Sequence, residues 1–152
     1  MREIKIGNKN YKLEYTIEAA LYKDCAETVI NFMSNVANAE NKNEIKEVLS
    51  ATIDVPNTCM TCFYAGLLEN HGEEITSLSD AKQLIKVWFK ENQDNEKGNF
   101  YGLFMELLEI MGEDGFFKQL GLTQLVNEAE EATENAKIPQ DHKKKQTKVS
   151  KK

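Results

Sequence analysis

Apolar residues recur along this chain at two different periods, and the change from one to the other near residue 16 limits its fold more than any other feature. In residues 2–15, R-E-I-K-I-G-N-K-N-Y-K-L-E-Y, Ile4, Ile6, Tyr11, Leu13 and Tyr15 take alternate places on two short runs around Gly7-Asn8-Lys9-Asn10. A period of two on either side of a Gly/Asn turn predicts a β-hairpin. Two strands alone are marginal in water, so this hairpin has to pack on something else. After Thr16 the apolar residues recur at three and four, which is the spacing of helices.

Thr16 is placed to cap a helix over 17–36, with Leu21, Cys25, Val29, Phe32 and Met33 along one face. A polar stretch over 38–43 separates it from a shorter helix over about 44–52, carrying Ile45, Val48 and Leu49. Pro56 and Asn57 mark the next boundary, with Asn57 as the cap of a helix over 58–70 that Gly72 ends. Met60, Phe63, Tyr64, Leu67 and Leu68 cover more than one face of that helix, which predicts a central position. Ser77-Leu78-Ser79-Asp80 has the capping-box pattern for a helix reaching about Asn92, with Leu84, Ile85, Val87, Trp88 and Phe89. A further helix is expected over 99–111, closed by Gly112, and then a single turn at Phe116, Phe117 and Leu120. Residues 122–136 begin apolar with Leu125 and Val126 and become acidic, and Ile138-Pro139 interrupts them.

The expected fold is therefore mainly α, α+β at most. An N-terminal β-hairpin packs on a cluster of five to six helices in one domain over 1–136, followed by a flexible, disordered Lys-rich tail over 137–152. A chain of 152 residues buries about two thirds of its unfolded surface, so it needs no metal or disulfide to stand up. Its three cysteines fit reduced thiols better than a disulfide framework. No apolar run approaches the length of a membrane span, and Met1-Arg2-Glu3-Ile4-Lys5-Ile6 lacks a signal-peptide pattern, so a cytoplasmic location is expected.

The formal net charge of −6 divides sharply along the chain. Residues 1–136 carry 24 acidic against 12 basic side chains, a net of −12, whereas residues 137–152 carry seven lysines and one aspartate, a net of +6. An acidic body opposes nucleic-acid binding, which rests on neutralising phosphates.

Little in the chain points to catalysis. Cys59-Met60-Thr61-Cys62 is a C-x-x-C pair near a helix start, an arrangement that lowers thiol pKa values in redox proteins. Here it follows no sheet strand, and as a zinc site it lacks a second paired half, with only Cys25 and His71 as further ligands. Buried structural thiols are the expected reading, and His71 is expected as a helix-end or surface residue. The acidic groups Glu73-Glu74, Glu106 with Glu109, and Glu130-Glu131 with Glu134 read as solvated faces, and no phosphate-binding glycine motif is present. No catalytic, metal or cofactor residue is assigned. The aromatic residues Trp88, Phe89, Phe100, Tyr101, Phe104, Phe116 and Phe117 crowd the second half more densely than a thin bundle hides, which makes them the candidate protein interface.

The order of these features resembles a known family. An I-x-I-G-x-x-x-Y-x-L hairpin at Ile4 to Leu13 leads into Thr16-Ile17-Glu18-Ala19-Ala20-Leu21. Then come Thr61-Cys62-Phe63-Tyr64-Ala65-Gly66-Leu67-Leu68-Glu69-Asn70-His71-Gly72, and Ser79-Asp80-Ala81 before a Trp-containing helix. Asn99-Phe100-Tyr101-Gly102-Leu103-Phe104 runs on to Gly115-Phe116-Phe117. Over about residues 1 to 125 the whole is similar to the tail assembly chaperones of long-tailed bacteriophages of low-GC Gram-positive bacteria. The resemblance implies a non-enzymatic protein of the host cytoplasm, without cofactors and absent from the finished virion. Its implied role is to bind the coiled tape-measure protein, keep it soluble and help tail-tube subunits assemble around it. It also implies that a longer, frameshifted form can accompany this one, while self-association remains an open expectation. Two alternatives stand beside it: a small helical regulator or adaptor that binds another protein, and, further off, a DNA-binding regulator or a cysteine-based metal protein.

Overall fold

A computed structural model of the chain describes residues 1–42 and 53–123, with side chains described outside 36–42. The fold is mainly helical, with an N-terminal β-hairpin. Strands β1 (Arg2–Ile6) and β2 (Lys9–Leu13) pair antiparallel in the register Arg2↔Leu13, Ile4↔Tyr11 and Ile6↔Lys9. The turn is tighter than the expected four residues, because only Gly7 and Asn8 lie between the strands and Gly7 takes φ +61°. A two-residue hairpin needs positive φ at its first central position, and glycine adopts it without a Cβ clash. The alternation holds, with Ile4, Ile6, Tyr11, Leu13 and Tyr15 all buried while Glu3, Lys5 and Asn10 face solvent.

Six helical segments follow among the described residues: α1 (Ile17–Leu21), α2 (Lys23–Lys42), α3 (Val55–His71), α4 (Leu78–Glu91), α5 (Phe100–Glu113) and α6 (Phe116–Gln119). The continuous helix expected over 17–36 is broken at Tyr22, whose backbone is extended at φ −75°, ψ 91°. On an unbroken helix, the six-residue step from Ala19 to Cys25 would leave them about 120° apart. With the break, Ala19, Cys25 and Val29 are all fully buried, and the Tyr22 ring meets Tyr64 edge-on at 5.5 Å. Leu21, expected on the buried face, points outward instead. Thr16 makes no side-chain cap, and its hydroxyl donates to Glu69 Oε2 at 3.0 Å.

Helix α3 is the central element, in contact with α1, α2, α4, α5 and β2. It buries residues all round its circumference, among them Val55, Cys59, Cys62, Phe63, Gly66 and Leu67. It begins three residues earlier than expected, with Asp54 at the cap position and Pro56 in the first turn, where a missing amide proton costs nothing. Asn57 is exposed within the helix and caps nothing. Ser77 caps α4 as expected: its Oγ accepts from the Asp80 amide at 3.3 Å and donates to Asp80 Oδ2 at 2.8 Å. Asn99 caps α5 by accepting from the Gly102 amide at 2.9 Å. Helix α5 does not stop at Gly112 but continues to Glu113, and Gly115, at φ +72°, makes the turn into α6. The helix expected over 44–52, most of the segment over 122–136 and the basic tail over 137–152 lie outside the described residues.

The hairpin is fastened to the helices by specific contacts as well as by its apolar face. Tyr15, fully buried, lies flat against α3 at Gly66, where a Cβ would stand 2.8 Å from its Cζ and Oη. Its hydroxyl donates to the Cys62 carbonyl at 2.9 Å, and the neighbouring Glu14 amide donates to the Gly66 carbonyl at 2.9 Å. The Tyr15 amide donates to Asp114 Oδ2 at 2.8 Å, and the Met1 ammonium pairs with the same carboxylate. Arg2 reaches across to α5, bonding Glu109 at 2.9 Å and Glu113 at 2.6 Å.

Candidate docking surface

The three cysteines are packed in the core. Cys25, Cys59 and Cys62 are all fully buried on the facing sides of α2 and α3. Burial pushes the Cys59 thiol up to about 12, and burial foremost, then contact with Cys25, raises Cys62 as well. A redox pair needs the opposite shift, because the thiolate is its nucleophile. Among the described residues, no group of three or more His, Cys, Asp or Glu side chains is arranged to hold a metal ion.

His71 is the last residue of α3, at the helix end as expected, but its side chain is largely covered rather than at the surface. Its Nε2 accepts from the Lys12 amide at 2.9 Å and its ring lies 5.3 Å from that of Tyr11, so it joins β2 to the end of α3. The accepting Nε2 requires the imidazole proton on Nδ1. Glu106, expected on a solvated face, is only 10% exposed and lies between Arg2 (3.8 Å) and Lys97 (3.2 Å).

The seven aromatic residues singled out from the sequence fall into two groups. Phe104 and Phe116 are fully buried and Trp88 nearly so, which removes them from any surface of this fold. Phe104 takes the edge of Phe32 at 4.8 Å, Phe116 packs on Tyr15 at 5.8 Å, and the Trp88 indole donates to the Lys97 carbonyl at 3.2 Å. Phe89 and Phe100 are partly buried against each other at 4.8 Å, and Phe117 is partly buried beside Phe116. Tyr101 alone is well exposed, at 57%, and shares one face of α5 with exposed Met105, four residues on.

Among the described residues, another exposed apolar surface lies where the sequence did not indicate one. The break at Tyr22 sets α1 at an angle to α2 and leaves a groove of about 430 Å³ between them, lined by Ala20, Leu21, Lys23, Ala26, Glu27, Ile30 and Asn31. Leu21 is 73% exposed at its edge, and Ile17, one turn earlier on α1, is 67% exposed. Small side chains on the walls and large apolar ones at the lip suit a groove that receives a helix. The signal that could have found it is the six-residue interval from Ala19 to Cys25, which a single straight helix cannot bury on one side.

A second cavity of about 520 Å³ lies between β1, the end of α4 and α5. Its lining mixes Glu3, Lys5, Glu91 and Glu106; Glu91 accepts from the Gly7 amide at 3.0 Å, whereas the buried Glu106 Oε2 has no hydrogen-bond partner. Among the described residues, no helix is long and apolar enough to cross a membrane. The chain matches no protein-family model, no curated protein and no solved structure.

Proposed function

We propose that this protein is a non-enzymatic assembly chaperone that holds an apolar-faced helix of a partner in the α1–α2 groove. The partner class that fits is the long coiled tape-measure protein of a bacteriophage tail, with the tail-tube protein joining later, in the host cytoplasm. The observation that carries this reading is exposed Leu21 at the edge of a groove whose apolar lining is Ala20, Ala26 and Ile30 beside Lys23, Glu27 and Asn31, with exposed Ile17 one turn earlier on α1. A helix with a repeating apolar face is the ligand that such a surface recognises, and an unassembled coiled protein presents many of them. The resemblance in residue order to tail assembly chaperones supports the same partner. The buried, high-pKa thiols of Cys59 and Cys62 favour this reading over redox or metal chemistry.

Co-expression with the tape-measure protein encoded near this chain, followed by size-exclusion chromatography with light scattering, tests it. A soluble complex is expected where the tape-measure protein alone is insoluble. If this protein elutes alone and the tape-measure protein stays insoluble, the reading is wrong. A small helical adaptor recognising a short peptide in the same groove then becomes the better account.

A further inference from the structure

We propose that the outer edge of β1 is a docking site for an extended peptide segment of a partner, bound through the backbone of Glu3 and Lys5 and through a lysine or arginine that the segment brings to Glu106. The site is separate from the α1–α2 groove and rests on none of the function proposed above.

The hairpin fixes which backbone groups point outward. With only Gly7 and Asn8 between the strands, Ile6 and Lys9 form the closing pair, and Ile4↔Tyr11 and Arg2↔Leu13 follow at the period of two. The amides and carbonyls of Arg2, Ile4 and Ile6 therefore face β2, and those of Glu3, Lys5 and Gly7 face away. Bonds on the two outer sides follow the same alternation: the Gly7 amide donates to Glu91 at 3.0 Å, the Lys12 amide to His71 at 2.9 Å and the Glu14 amide to the Gly66 carbonyl at 2.9 Å. The outer edge of β2 is thus closed by α3. On β1, none of the described residues pairs with the outward backbone groups of Glu3 and Lys5. Such an edge accepts an added strand through main-chain hydrogen bonds, and the charges of Glu3 and Lys5 keep it from pairing indiscriminately.

The cavity of about 520 Å³ runs along this edge, lined by Glu3, Lys5 and Gly7 from the hairpin and by Trp88 and Glu106 from the helices. A strand added at ~4.8 Å from β1 falls within it. Its side chains opposite Glu3 and Lys5 point to solvent, and the one between them, opposite buried Ile4, points toward the helices. There it meets Glu106, whose side chain is 10% exposed and whose covered Oε2 accepts no hydrogen bond. Lys97 Nζ lies 3.2 Å from that oxygen without donating to it and is itself exposed, while Arg2, 3.8 Å from Oε1, is committed to Glu109 and Glu113. A buried acceptor without a donor is costly, and an ammonium or guanidinium on the incoming strand supplies the donor together with a charge complementary to Glu91 and Glu106. A second copy of this chain does not fit, because the side chains that its β1 carries on this face, Ile4 and Ile6, are buried in their own core and hold no donor.

An amide NMR titration of the full-length chain with the synthetic peptide acetyl-Thr-Thr-Lys-Thr-Thr-amide tests this, beside the same peptide with norleucine for lysine and beside butylamine. The expected result is saturable shifts of the Glu3 and Lys5 amides, slower hydrogen exchange of both, and roughly tenfold weaker binding of the norleucine peptide. Glu106→Gln keeps the side-chain volume, and unchanged α3 amides verify its fold. It should weaken the lysine peptide by about tenfold and leave the norleucine peptide unaffected. The norleucine comparison is made on wild type, so it stands whether or not the variant folds. No saturation at Glu3 and Lys5 up to about 10 mM lysine peptide overturns the proposal. So does a lysine peptide bound equally by wild type and folded Glu106→Gln, or both peptides bound equally by wild type. Butylamine bound as tightly as the lysine peptide overturns it by making the cavity a site for small amines. Protection of the Glu3 and Lys5 amides that rises with protein concentration in the absence of peptide overturns it by assigning the edge to a second copy.

Discussion

At the scale of single residues, the decisive position is Tyr15, where strand ends and helices begin. Its ring occupies the space that a Cβ at Gly66 would need, its hydroxyl bonds the Cys62 carbonyl, and its amide bonds Asp114. Gly66→Ala forces this packed ring to shift, and we expect a loss of about 1–3 kcal/mol in chemical unfolding, as for other overpacked cores. Tyr15→Phe keeps the ring and removes one hydrogen bond, with an expected loss of about 1 kcal/mol. A larger loss for Tyr15→Phe than for Gly66→Ala would contradict this ordering. The thiols give a second test at the same scale. With Cys59 held up to about 12 by burial and all three thiols inaccessible, the native protein should leave a thiol reagent at pH 8 nearly unreacted, and denaturant should release three equivalents. Rapid labelling of the native chain would restore the redox reading. Phe104 and Phe116 show what residue type alone left hidden, because aromatic density carries no information about which rings the helices enclose.

Among the elements, those with strong local punctuation were legible in the sequence. The hairpin, the Ser77-capped α4, the Asn99-start of α5 and the turn at Phe116 all rest on short-range signals. The Tyr22 break left only a weak trace in the sequence, the six-residue interval from Ala19 to Cys25, since no glycine or proline marks it. It arises from tertiary demand, as Ala19 and Cys25 must both face α3. The same break creates the groove, so the part of the candidate site that matters most was the part least visible beforehand. The α4 cap carries a pH prediction. The Ser77 hydroxyl, foremost, and the Thr76 groups hold the Asp80 carboxyl below its ordinary value. A carboxyl whose folded pKa is depressed stabilises the fold above its unfolded pKa, and this contribution is lost as pH falls through the folded one. Separately, Ser77→Ala should destabilise by about 1 kcal/mol at neutral pH through loss of the Ser77 N-cap itself. The difference from wild type should narrow below roughly pH 4. A difference that stays constant from pH 7 to pH 3 would remove Asp80 from the account.

Among the described residues the molecule is a hairpin pinned across a helical cluster by a few specific polar contacts. His71 holds β2, Arg2 holds β1 to α5, and Asp114 holds the residue between hairpin and helices. Among the described residues, the exposed apolar side chains include Leu21 at the α1–α2 groove and Tyr101 and Met105 on α5. An exposed apolar groove suits the transient capture of a helix proposed above, and among the described residues no group of three or more His, Cys, Asp or Glu side chains is arranged to hold a metal ion. The most direct test of that claim is co-expression of the tape-measure protein with wild type and with Leu21→Lys, side by side. The account predicts soluble tape-measure protein in complex with wild type, and most of it lost to the insoluble fraction with Leu21→Lys, although the variant itself stays folded. Equal amounts of complex with both chains would show that the groove is not where the partner binds.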